Sequence, residues 1–153
     1  MKKQIVLAYS GGLDTSFCTL HLIEQGYEVH AVSVNTGGFS QEEVKDLRKR
    51  AHDFGAKTFV CLDITEKYYQ DCVRYLIYGN VLRNNTYPLS VSSERAFQAM
   101  AILQYAKNKD IYTVAHGSTG AGNDQIRFDT VFISDTEDFE IITPIRDQKL
   151  TRQ

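Results

Sequence analysis

The residues most suited to chemistry are Ser10, Gly11, Gly12, Leu13, Asp14, Thr15 and Ser16. Two adjacent glycines let a backbone come close to the oxygens of an anion, and the hydroxyls of Ser10, Thr15 and Ser16 add donors. Such a segment binds phosphate through N–H groups at a helix start, where the helix dipole is positive. A tight turn with an aspartate cap needs neither the glycine pair nor the flanking hydroxyls. The chain has no G-x-x-x-x-G-K-[ST] and no G-x-G-x-x-G, which sets aside Walker-type phosphoryl transfer and dinucleotide binding. A second segment, Thr119 to Arg127, combines small residues with Asn123, Asp124 and Arg127, a cluster suited to the carboxylate and ammonium of an amino acid. On its residues alone, that segment reads equally well as a glycine loop with a surface ion pair.

Both segments need elements to hold them. The apolar run Ile5 to Tyr9 predicts a buried strand that ends at the glycine pair. Asp14 is the expected N-cap of the next helix, Phe17, Leu20, Leu22 and Ile23 its apolar side, and Gly26 its left-handed stop. Val29 to Val34 predicts a second strand. Ser40 and Glu43 form a capping box ahead of Val44, Leu47, Ala51 and Phe54, the clearest helix in the chain. Lys57 to Leu62 predicts a third strand, Asp63 caps a helix to about Val81, and Asn84 to Ser93 reads as a loop around Pro88. Glu94 to Lys107 is helical, Ile111 to Ala115 a fourth strand, His116 to Asn123 a glycine-rich loop, and Phe139 to Ile142 a fifth strand before Pro144. This alternation predicts an α/β fold, a doubly wound parallel sheet of about five strands with helices on both faces. In such sheets ligands bind beyond the carboxyl ends of the strands. Ser10 to Gly12, Asn35 to Gly38 and His116 to Asn123 all fall there, so three loops converge on one crevice.

Composition limits the alternatives. With 153 residues, 42% hydrophobic and 24% charged, the chain has the size and core of one domain. A net charge of −2 lacks the positive excess that nucleic acid rewards, so no nucleic-acid partner is expected. No apolar stretch is long enough to span a bilayer, and no membrane association is expected; the chain reads as cytoplasmic. Cys18, Cys61 and Cys72 show no C-x-x-C spacing and read as reduced thiols, with no metal site. Tyr68, Tyr69, Tyr75 and Tyr78 read as the packed flank of a helix, and Lys45, Arg48, Lys49 and Arg50 as a solvated helix face. His116, at a strand end, reads equally as a structural residue or as one that approaches a phosphate.

Taken as a whole, Ser10-Gly11-Gly12-Leu13-Asp14-Thr15-Ser16 resembles the pyrophosphate loop of the N-type ATP pyrophosphatases, whose adenine nucleotide alpha hydrolase-like fold is the one argued above. Within that superfamily the chain is similar to the argininosuccinate synthases. The resemblance is carried by Ala8 to Ser16, by Tyr87-Pro88-Leu89, by Ala115 to Phe128 and by Ile142 to Asp147, in that order along the chain. Two stretches depart from the family: Ser90 to Ala96 replaces the usual G-T-S-L-A-R-P, and Asn35-Thr36-Gly37-Gly38 the usual D-I-G-Q.

The resemblance implies ATP with Mg²⁺, held by Ala8, Tyr9, Ser10, Gly11, Gly12, Leu13, Asp14, Thr15, Ser16 and Gly117, with Val34 beside the adenine ring. It places Thr119, Asn123 and Asp124 at aspartate, and Tyr87, Ser92, Asn123 and Arg127 at citrulline. The implied reaction joins citrulline and aspartate through a citrullyl adenylate, releasing AMP and pyrophosphate, in arginine biosynthesis and the urea cycle. No residue is assigned as a covalent nucleophile. Residues 1–153 are expected to form the ATP-binding domain, with a C-terminal synthetase domain outside this chain, no turnover by the chain alone, and a homotetramer for the whole protein. Two alternatives stay open. Another N-type ATP pyrophosphatase, RNA-modifying or amide-forming, would share the loop; an RNA-modifying one should add a cysteine pair and a basic face. A non-catalytic nucleotide-binding domain would have no need of an aspartate pocket.

Overall fold

The computed structural model describes residues 3–120, 123–134 and 139–149, the side chain of Val91 excepted. Five parallel strands form one sheet in the order β3-β2-β1-β6-β7: β1 Gln4–Ala8, β2 Glu28–Asn35, β3 Thr58–Asp63, β6 Thr113–His116 and β7 Glu140–Ile142. The order reverses between β1 and β6, with Leu7 opposite Ala31 on one side and Ala115 on the other. The expected doubly wound sheet is therefore present, with its switch point at the end of β1.

Strand alternation builds two cores. Ile5 and Leu7 point to a layer with Cys18 and Leu22 of α1 (Leu13–Glu24) and Leu47 and Ala51 of α2 (Gln41–Asp53). Val6, Val32 and Val34 point the other way, against Ile102 and Leu103 of α5 (Ser90–Asn108) and Phe128 and Phe132 of α6 (Asn123–Ser134). The capping box is formed, Ser40 Oγ accepting from Glu43 N and a Glu43 carboxylate oxygen from Ser40 N, and Gly26 stands at φ +88°.

Several expectations are corrected. The N-cap of α1 is Gly12, not Asp14; no side chain caps it, because the chain turns sharply at Gly11 and enters the helix at once. The helix expected from Asp63 to Val81 is broken into α3 (Thr65–Tyr68), a π turn (Tyr69–Val73) and α4 (Arg74–Tyr78). β4 (Leu82–Arg83), just before the expected loop, pairs antiparallel with β5 (Tyr87–Pro88) inside it, and α5 begins at Ser90, four residues early. Of the four tyrosines only Tyr68 is buried; Tyr69, Tyr75 and Tyr78 are exposed. Tyr68 packs on Phe97, with ring centroids 5.0 Å apart, and its hydroxyl lies 2.9 Å from Ser90 O and 2.8 Å from Ser93 Oγ. That anchor holds down the start of α5. The short helix α7 (Pro144–Asp147) closes the described chain.

Candidate functional site

The end of β1 is fixed before the glycines are reached. Tyr9 N donates to Val32 O at 2.9 Å, and Tyr9 O accepts from Ser33 Oγ at 2.6 Å. Gly11 then takes φ +73°, and a Cβ there would collide with Leu47. Both facts favour glycine. Gly12 is extended, and a Cβ on it would meet nothing nearer than Ser10 Oγ at 3.6 Å, so the fold itself does not require glycine there. Within the loop, Ser10 Oγ lies 3.3 Å from Thr15 Oγ1, and Thr15 Oγ1 donates to Gly12 O at 3.2 Å. Ser16 is buried and Leu13 is exposed.

Beyond the strand ends lies a crevice of about 850 Å³. Ala8, Tyr9, Ser10, Asp14 and Thr15 line one side of it, Val32 and Val34 the β2 side, and Gly117 to Gly120 the β6 side. Gly117 permits the close approach of that last segment, since a Cβ on it would lie 3.2 Å from Thr15 Cγ2 and 3.4 Å from Cys18 Sγ. Asp124, Gln125 and Phe128 of α6, with Arg95 of α5 and Arg146 of α7, complete the wall.

The polar cluster at the far end is paired. Asp124 Oδ1 accepts from Arg127 Nη1 at 2.7 Å, Asp124 Oδ2 lies 3.6 Å from Arg95 Nε, and Arg127 Nη2 donates to Ser92 Oγ at 3.1 Å. The structure thus brings Ser92, Asp124 and Arg127 together, and Val34, Gly117 and Thr119 into the crevice with the loop. Gly11, Gly12, Leu13, Ser16, Tyr87, Ser92, Asn123 and Arg127 do not line it; Asn123 and Tyr87 are exposed. Ala121 and Gly122, within the same motif, lie outside the described residues.

His116 lines the crevice beside Gly117 with both ring nitrogens engaged inside the protein. It is fully buried and stacked on Phe128, its Nε2 lies 2.9 Å from Asp129 Oδ1, and its Nδ1 accepts from Ser118 N at 3.3 Å. Burial pushes its pKa down against the pull of Asp129, so the ring is neutral with the proton on Nε2. Asp129 also accepts from Arg146 Nη1 at 2.5 Å, and Arg146 Nε donates to Thr143 Oγ1 at 3.2 Å. Sequence reasoning missed this network because it left α6 unassigned, although Phe128 and Phe132 at i and i+4 were a usable signal. It also missed Arg50, expected on a solvated face, whose Nη1 donates to Gly11 O at 2.5 Å. Arg48 lies over the Phe59 ring, 5.4 Å from its centroid.

Cys18 is buried, and that burial, with the charge of Asp14, pushes its thiol up to about 12. Burial raises Cys61 as well. Neither is a thiolate nucleophile at neutral pH. Among the described residues no three His, Cys, Asp or Glu side chains are grouped to hold a metal, and no helix is long and apolar enough to cross a membrane.

The sheet order, the glycine loop at its switch point and the crevice beyond define a doubly wound α/β domain with a ligand-sized opening at the switch point. Its fold resembles a 4-thiouridine synthetase solved with RNA and bound ATP, with a TM-score of 0.65 and 16% identity over 95% of this chain and 37% of that one. Residues 4–153 match the family model of the arginosuccinate synthase N-terminal HUP domain. The chain belongs to the argininosuccinate synthase family. It is 43% identical over 145 residues to the argininosuccinate synthase of Xylella fastidiosa, and 38% identical over 152 residues to that of Hyperthermus butylicus. These alignments cover 95% and 97% of this chain but 36% and 37% of the relatives, so the chain spans little more than a third of their length.

Proposed function

We propose that this chain is the ATP-binding domain of an argininosuccinate-forming ligase, in which ATP activates citrulline for attack by aspartate. One observation carries the reading: Ser10, Asp14 and Thr15 of the first loop and Thr119, Gly120 and Asp124 of the second segment line the same crevice. A nucleotide held at the first therefore has its reacting end near the second.

In this reading the uncapped start of α1 and the hydroxyls of Ser10 and Thr15 hold the β,γ-pyrophosphate. Val34 lies beside the adenine, and Gly117 leaves room for the nucleotide. Mg²⁺ would travel with the triphosphate, with Asp14 the carboxylate lining the crevice beside the loop. The citrulline ureido oxygen attacks the α-phosphorus, pyrophosphate leaves, and the aspartate amine displaces AMP from the citrullyl adenylate. Thr119, Asn123 and Asp124 take the aspartate; Tyr87, Ser92, Asn123 and Arg127 take the citrulline. Positioning and charge stabilisation carry the rate, with no covalent nucleophile. The protonated thiols of Cys18 and Cys61 and the net charge of −2 favour this over a sulfur-transferring, RNA-modifying reading.

Calorimetry tests it. MgATP should bind the chain, and aspartate should bind measurably only when ATP is present. Absence of ATP binding, or aspartate binding indifferent to ATP, would overturn the reading. Pyrophosphate release from ATP, citrulline and aspartate by these 153 residues alone should stay near background.

A further inference from the structure

We infer that Arg50 is a positioning residue of the phosphate loop, holding the Gly11–Gly12 peptide so that the Gly12 N–H points away from α2 toward Ser10, which lines the crevice. The inference deepens the nucleotide-binding reading above and rests on it for the identity of the anion.

Arg50 lies in the last turn of α2, one turn beyond Leu47 and on the same face. Leu47 occupies the space beside Gly11 that a side chain would need, and the Arg50 guanidinium continues that contact as a hydrogen bond of 2.5 Å to the Gly11 carbonyl. An arginine that merely solvates a helix face makes no such tertiary bond. The described chain contains no cis peptide, so the Gly11 C=O and the Gly12 N–H point in opposite directions from one plane. Holding the carbonyl toward α2 therefore turns the N–H away from α2. It is directed at Ser10 Oγ, 3.4 Å away, and Ser10 lines the crevice. At that length the bond is weak, so an incoming phosphate oxygen can replace it.

The need for such a brace follows from the glycines themselves. A peptide between two glycines can rotate through conformations closed to other residues, so the freedom that admits a phosphate also leaves the donor unaimed. A charge-assisted bond from a neighbouring helix fixes the plane without adding bulk at the ligand.

Two measurements test this. In the ligand-free ¹⁵N-labelled chain, residual dipolar couplings should give a Gly12 N–H vector that reorients in Arg50→Gln and is largely restored in Arg50→Lys, which keeps one charged donor. In calorimetry, Arg50→Gln should weaken MgATP and inorganic pyrophosphate alike, on the order of tenfold, and leave adenosine unchanged. Arg50→Lys should recover most of that loss. Circular dichroism and thermal melting of each variant check that α2 persists. An unchanged Gly12 vector, equal pyrophosphate affinity in parent and Arg50→Gln, or an equal loss of adenosine would overturn the role of Arg50. A parent chain that binds no ATP would instead overturn the nucleotide reading, and the dipolar couplings would still decide whether Arg50 aims the Gly12 N–H.

Discussion

His116 Nε2 and Asp129 Oδ1 lie 2.9 Å apart, and the carboxylate they share with Arg146 ties the end of β6 to α6 and α7. The contact holds the crevice wall that begins at Gly117. Partial burial pushes Asp129 up, but hydrogen bonds from Arg146 and His116 outweigh it and hold the carboxyl below its usual 3.8.

The pair makes stability depend on pH. Burial lowers His116 from 6.5, so between its folded value and 6.5 only the unfolded chain takes the proton. Stability should be intact above pH 6.5 and fall as the pH drops below it. Burial shifts His30 in the same direction, so replacing His116 should reduce the slope without abolishing it. Urea unfolding between pH 7.5 and 5 should show that slope roughly halved in His116→Gln. Asp129 adds a further loss in more acid solution, as the unfolded chain's carboxyl, at its usual 3.8, takes a proton that the folded one still excludes.

The two loop glycines should fail differently. Gly11→Ala places a side chain at φ +73° and against Leu47, and should cost about 2–4 kcal/mol of unfolding free energy. Gly12→Val has room in the fold and should cost only about 1 kcal/mol as a poorer N-cap, while abolishing MgATP binding. Denaturant melts paired with calorimetry separate the two; equal ATP affinity in Gly12→Val would remove the loop from the site.

In the amino-acid pocket, Arg127→Lys keeps the charge but cannot reach Asp124 and Ser92 with one planar fork. It should weaken citrulline by about 1.5–3 kcal/mol with ATP little changed. Asp124→Asn should weaken aspartate instead. Titration of each amino acid at saturating MgATP would show the split, and a shared defect in both variants would count against separate roles.

Tyr68→Phe keeps the ring on Phe97 but removes the hydroxyl from Ser90 O and Ser93 Oγ. It should lower stability by about 1 kcal/mol, a fall of roughly 2–4 °C in Tm for a chain of this size, read by thermal melting.

The strands were legible because β1, β2 and β6 are covered on both faces and so read as short runs rich in apolar residues, interrupted in β2 only by His30 and Ser33 between its ends. Ser40 and Glu43, or Gly26, could be read because a capping box and a left-handed stop are local devices. What escaped was tertiary. Asp14 is a good cap by type, yet Gly11 turns the chain two residues too early for it to serve. Ser90 to Ser93 look like loop residues, and distant partners, the Tyr68 hydroxyl and the Arg127 guanidinium, secure them in a helix. Arg50 carries the same charge as Lys49 beside it; its spacing from Leu47 puts it on the inner face, but the local pattern does not show that it reaches Gly11.

β1 lies between β2 and β6, two strands removed from either edge of the sheet. Its amides should exchange with solvent only when the whole domain opens, whereas the edge strands β3 and the three-residue β7 should fray first. A loop suspended from the most protected strand survives every partial opening. The ligand's anchor point is thus inherited from global stability, and the walls around it are free to breathe.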